Sequence, residues 1–186
     1  MKDLILVGIQ GSGKGTQAKI LAKKHGYQIF ETGGALRGIA AEDSELGRQV
    51  KEITTRGDLV SNEIVMAIVA DFIAKLDGSS PVIFDGIPRS EEQRVSLETL
   101  LENKGRSFEV LAVELSEKEA FKRMFKRAEL EGRADDNETS MKKRIANFYE
   151  FTAPMLETWR KAGKLIQICG EHSIEEVSEK IGKVLN

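Results

Sequence analysis

The chain has 186 residues, enough for one domain with a real core, and its 40% hydrophobic and 31% charged residues are the balance of an ordinary folded protein. A formal net charge of −2 lacks the basic excess of a duplex nucleic-acid binder, so no nucleic-acid partner is expected. The single cysteine, Cys169, excludes an internal disulfide and a cysteine-held structural zinc, and no apolar run approaches membrane-spanning length, so a cytoplasmic protein without a membrane partner is expected.

Leu4 to Val7 is a short continuous apolar run, the pattern of a parallel strand buried on both faces. Lys14 to His25 places Ala18, Leu21 and Ala22 at helical spacing, and Gly26 ends it. Tyr27 to Phe30 is a second strand candidate, followed by helical stretches over about Gly34–Ala40, Ser44–Arg56 and Ser61–Leu76. Pro81 opens a third strand, Val82 to Phe84, and Ser90 to Asn103 is polar and helical. Val110 to Leu115 is a fourth strand, Glu117–Glu131 and Glu138–Lys161 are helices, and Asp135 with Glu138 fits a capping box. Leu165 to Ile168 is a fifth strand and Ile174 to Leu185 a closing helix. Strands alternating with helices predict an α/β fold with a parallel sheet covered on both faces. The helical block between strands two and three is longer than a crossover needs, which points to a small subdomain.

The strongest chemical signal is Gly8-Ile9-Gln10-Gly11-Ser12-Gly13-Lys14-Gly15-Thr16, lying after a strand and opening a helix. Glycines let successive backbone N–H groups face phosphate oxygens, and the helix N-terminus adds partial positive charge. Lys14 can reach the terminal phosphates and Thr16 a metal ion. The general pattern has Ser or Thr directly after the lysine, whereas Gly15 intervenes here. This loop alone predicts binding of a nucleoside triphosphate. It leaves open whether the phosphate goes to water, protein, sugar or another nucleotide.

The run from Gly11 to Gln17 resembles the phosphate loop of the nucleoside monophosphate kinases, and in particular of the adenylate kinase family. Further segments agree in order: Thr32-Gly33-Gly34-Ala35-Leu36-Arg37, Gly57-Asp58-Leu59-Val60, Asp85-Gly86-Ile87-Pro88-Arg89 with Gln93, and Gly132 to Asn137 leading to Lys143-Arg144. The resemblance spans nearly the whole chain. It implies a P-loop three-layer fold with a five-stranded parallel sheet, a core over 1–30, 61–126 and 138–186, an acceptor-binding insert over 31–60 and a short lid over 127–137. It also implies a monomer acting on ATP, AMP and ADP with Mg²⁺ and no structural zinc.

Phosphoryl transfer between nucleotides gathers negative charge, and arginine suits it because its planar fork binds phosphate bidentately and stays charged. Arg123 and Arg127 are four apart and share a helix face, and Arg89 follows a strand at its carboxyl end. By resemblance, Lys14, Arg89, Arg127, Arg133 and Arg144 are catalytic, and Gly11, Ser12, Gly13, Lys14, Gly15, Thr16, Arg123, Arg127 and His172 bind ATP. Thr32, Arg37, Asp58, Leu59, Val60, Gly86, Arg89, Gln93, Arg133 and Arg144 bind AMP, with Gln93 pairing the adenine edge. Thr16 and, through water, Asp85 hold the Mg²⁺. Lys122, Lys126, Lys142 and Lys143 read as solvated helix faces. The chain departs from the family pattern at Gln10 (usually proline), Glu31 (usually serine or another small residue), Gly34 (aspartate), Asn62 (aspartate) and Ile87 (aromatic). Two rivals to an AMP-directed kinase stand at this point: a kinase for UMP, CMP or another monophosphate, and a nucleotide-binding module with little turnover.

Overall fold

The structure, a computed structural model, describes residues 2–76, 78, 80–131 and 137–185. Its sheet has five parallel strands in the order β2-β3-β1-β4-β5: β1 (Asp3–Val7), β2 (Gln28–Glu31), β3 (Val82–Asp85), β4 (Phe108–Glu114) and β5 (Leu165–Cys169). β1 sits in the middle with every residue buried, as its unbroken apolar run requires. The period-2 alternation of its side chains divides the core. Ile5 and Val7 join Phe84, Val110, Leu97, Leu101 and Trp159 on one face. Leu4 and Leu6 join Ile83, Leu111, Ala18, Leu21, Val177 and Ile181 on the other. The helices α5 (Glu91–Asn103) and α8 (Ala153–Lys161) therefore cover the first face, and α1 (Lys14–His25) and α9 (Ile174–Leu185) the second. Leu97, Leu101 and Trp159 are 0–1% exposed, and each such side chain contributes about 1.5–3 kcal/mol of burial free energy.

The block after β2 is helical: α2 (Thr32–Ala40), α3 (Glu45–Arg56) and α4 (Asn62–Ala74). Ser44, Ser61 and Ser90, expected as first helical residues, are caps instead. Their hydroxyls accept the N–H of Gly47, Ile64 and Gln93 and satisfy donors the helix cannot. A third apolar cluster, Ile9, Ala120, Met124, Met141 and Ile145, lies beneath α6 (Glu117–Glu131) and α7 (Glu138–Asn147), and fixes those helices beyond the phosphate loop. α7 is capped by a reciprocal pair, Asn137 Oδ1 accepting from Ser140 N–H at 2.9 Å and Ser140 Oγ accepting from Asn137 N–H at 3.2 Å. Asp135, expected in that capping role, lies outside the described residues, and the box falls two positions later.

The continuous helix expected over Glu138–Lys161 is broken. A π turn, Phe148–Thr152, separates α7 from α8, and Ala153 N–H bonds back to Phe148 O. The cause is Pro154, which has no N–H to give a carbonyl four residues earlier and would crowd that carbonyl with its ring. Widening one turn removes the conflict.

Candidate active site

One cavity of about 610 Å³ opens at the carboxyl ends of the strands, between the phosphate loop, α2, the loop after β3 and helices α6 and α7. The loop enters α1 through Gly13, whose φ of 92° is the left-handed region that favours glycine. Gly15 answers a second demand. A Cβ there would lie 3.2 Å from Asp85 Oδ2, so the helix start and the end of β3 approach closely. Gly11, Ser12, Gly13, Lys14, Gly15 and Thr16 all line the cavity.

Lys14 Nζ donates to Gly8 O at 2.8 Å, Ile9 O at 2.9 Å and Ser12 Oγ at 3.1 Å. Burial lowers its pKa to about 8; Asp85 opposes that shift, while the charges of Arg89 and Arg127 add to it. Asp85 is 8% exposed, and burial raises its carboxyl above the usual range. Lys14 pulls against that rise and Glu31, its register partner across β2 and β3, adds to it. No described residue hydrogen-bonds Asp85 within the cavity, and Thr16 lies in the adjoining first turn of α1. A buried carboxylate beside a helix-start hydroxyl suits a hydrated hard cation. Among the described residues no group of three or more His, Cys, Asp or Glu is placed to hold a metal ion.

Arg89 is fixed by three contacts. Its Nε donates to Gly86 O at 2.9 Å, its N–H to Gln93 Oε1 at 2.9 Å, and its carbonyl accepts the Thr152 hydroxyl at 2.8 Å. Burial lowers its pKa to about 10, with Arg144 and Arg37 adding to the shift and Asp85 opposing it. The guanidinium stays charged at neutral pH, held among like charges. Arg127 and Arg144 line the same cavity, as do Arg123 and His172. Arg123 Nε donates to Glu119 Oε1 at 3.0 Å. On the other side stand Thr32, Arg37, Asp58, Leu59, Val60, Gly86 and Gln93. Thr32 Oγ1 is buried without a hydrogen-bond partner among the described residues. Arg37 pairs with Glu31 at 2.8 Å. Asp58 is held by Arg56 at 3.1 Å and Lys143 at 3.5 Å. Arg133 lies outside the described residues.

Three roles escaped the sequence. Lys126 is exposed, as expected, and its position also lines the cavity. Lys143 is exposed, as expected, and also pairs with Asp58 across the gap between α7 and the segment after α3. Thr152 braces Arg89 from the π turn. Pro154 was the available signal for that turn. Nothing in the sequence marks the Lys126 position.

A strand-to-helix phosphate loop, facing arginines from four other segments across one cavity, defines a phosphotransferase of the nucleoside monophosphate kinase class. A family model described as adenylate kinase matches residues 6–164. An adenylate kinase of Hyphomonas neptunium is 39% identical over 184 residues, covering 98% of this chain and 97% of that protein. One from Caulobacter sp. strain K31 is 38% identical over 99% of this chain and 98% of its own. One from Parabacteroides distasonis is 33% identical over 100% and 98%. The chain belongs to the adenylate kinase family.

Proposed function

We propose that the protein catalyses ATP + AMP ⇌ 2 ADP. The observation that carries this reading is the single cavity that joins the phosphate loop to Arg89, Arg127, Arg144 and Gln93. ATP lies on the loop with its phosphates against Lys14 and the backbone N–H groups, and its base on the side of Arg123 and His172. AMP lies against Thr32, Gln93 and the segment Asp58–Val60, with its phosphate between Arg37 and Arg89. Thr16 and, through water, Asp85 would hold the Mg²⁺ of the nucleotide, which would neutralise phosphate charge. The acceptor phosphate is already an anion, so the site needs no strong base. Arg89, Arg127, Arg133 and Arg144 stabilise the charge spread over the transferring oxygens. Residues 31–60 act as the acceptor-binding insert and 127–137 as a short lid, whose closure excludes water and suppresses hydrolysis. The protein works as a cytoplasmic monomer.

A coupled assay with ATP and each nucleoside monophosphate tests the reading. AMP should outpace UMP and CMP. A faster rate with UMP or CMP would keep the kinase class and overturn the acceptor. Arg89→Met should lower kcat by about a thousandfold while ATP affinity changes little. ATP binding with no ADP formed from ATP plus AMP would replace the enzyme with a binding module.

A further inference from the structure

Glu31 is the N-cap residue of α2, a position where its longer side chain is not a favoured cap, and it makes no capping hydrogen bond. Its carboxylate instead reaches Arg37, one and a half turns on, with Oε1 at 2.8 Å from a guanidinium nitrogen. Gly33 eases this pairing, while a side chain at Gly34 would make only ordinary contact with it. A Cβ at Gly33 would stand 3.1 Å from an Arg37 guanidinium nitrogen, and a Cβ at Gly34 would stand 3.5 Å from the Glu31 carboxylate. Behind Glu31 lies Asp85, its register partner, whose negative charge favours turning the Glu31 carboxylate toward Arg37. Glu31, Arg37 and Asp85 all line the cavity.

We propose that Glu31 is a specificity-determining residue that sets the affinity for the acceptor's phosphate by occupying Arg37 in the acceptor's stead. This rests on the reading of Arg37 as a phosphate ligand. A carboxylate and a phosphate oxygen make the same kind of charge-assisted bond to a guanidinium. Only one of them fills a given edge of the fork. A phosphate dianion carries more charge than one carboxylate and displaces it, then lies beside the released Glu31 and is repelled by it. Competition and repulsion both weaken phosphate binding, so more of the selection falls to base contacts such as those at Thr32 and Gln93. Both side chains of the pair are about 40% exposed, so solvent limits the size of the effect.

The test is calorimetric titration of AMP into four proteins at low salt: the natural sequence, E31Q, R37A and the double variant. ATP titration into each confirms an intact donor site. E31Q should tighten AMP by about three- to tenfold, and added salt should shrink that gain. R37A should weaken AMP, and E31Q should give a clearly smaller gain in the R37A background, where only the repulsion remains. An E31Q affinity equal to or weaker than the natural one, with R37A still weakening AMP, overturns the role of Glu31 alone. An equal gain with and without Arg37 also overturns it, because the effect would not pass through the pair. AMP binding indifferent to R37A overturns the assignment of Arg37 and the proposal with it.

Discussion

Lys14 shows how a single residue couples binding to protons. Its pKa of about 8 follows first from burial, which disfavours the ammonium. The unfolded chain holds that proton up to about pH 10.4, so between roughly pH 8 and pH 10 the unfolded state binds more protons. Lys14 therefore costs stability at and below pH 8, and the cost is relieved as pH rises above it. A bound phosphate should add counter-charge and restore the ammonium. At pH 8.5, above its pKa of about 8, a substantial part of Lys14 is neutral before ATP arrives, so binding should take up a fraction of a proton. Calorimetry in buffers of different ionisation enthalpy measures this uptake, and K14A should abolish it. The identity of Lys14 was legible because six chain neighbours specify its loop. The Glu31–Arg37 pair was not legible. It forms because α2 folds residue 37 back over residue 31, with Gly33 leaving space beside the guanidinium.

At the level of elements, α3 and the turn after it are held against α7, most closely at Gly57. Gly57 ends α3 with φ of 79°, its carbonyl accepts Asn147 Nδ2 at 3.0 Å, and a Cβ there would lie 2.6 Å from Ser140 O. G57A should therefore lose about 1 kcal/mol from the left-handed backbone alone and more from the displaced contact. Urea unfolding would measure the loss, and an unchanged midpoint would mean that α3 and α7 are not in close contact. Strands were legible because buried parallel strands are continuous apolar runs, as in β1, β3 and β4. Helix starts slipped by a residue wherever a serine was read as helical, since a cap and a first turn share composition. The π turn was missed because apolar spacing runs smoothly through Phe148 and Met155, and only Pro154 argues against it. That turn is where the site gains Thr152 as a brace for Arg89, so the local irregularity and the function coincide.

Across the whole molecule, some core residues such as Leu6 and Val7 also line the cavity, but two other sets separate, one that holds the fold away from it and one that faces it, and two substitutions should tell them apart. Asp3, 2% exposed in the central strand, accepts a two-pronged contact from Arg106 at 2.7 and 2.6 Å and also takes Val82 N–H at 2.8 Å. It joins β1, β3 and the segment leading into β4 at the end of the sheet opposite the cavity, and neither Asp3 nor Arg106 lines that cavity. D3A should cost about 3–5 kcal/mol, because it strips the fork from a largely buried guanidinium, while AMP affinity at a temperature where the protein stays folded is unchanged. Arg89 is the reverse case. Burial and the charges of Arg144 and Arg37 disfavour its guanidinium charge, with Asp85 offsetting part of that cost. R89M should raise stability by about 0.5–2 kcal/mol while lowering kcat by about a thousandfold, the trade expected of a site built from mutually repelling cations. Thermal unfolding of both variants, with and without AMP, distinguishes the two sets. AMP should raise the midpoint of D3A as much as that of the natural protein and leave R89M almost unmoved. A destabilised R89M would show that its bonds to Gly86, Gln93 and Thr152 outweigh the repulsion, and that this arginine belongs to the fold as well as to the site.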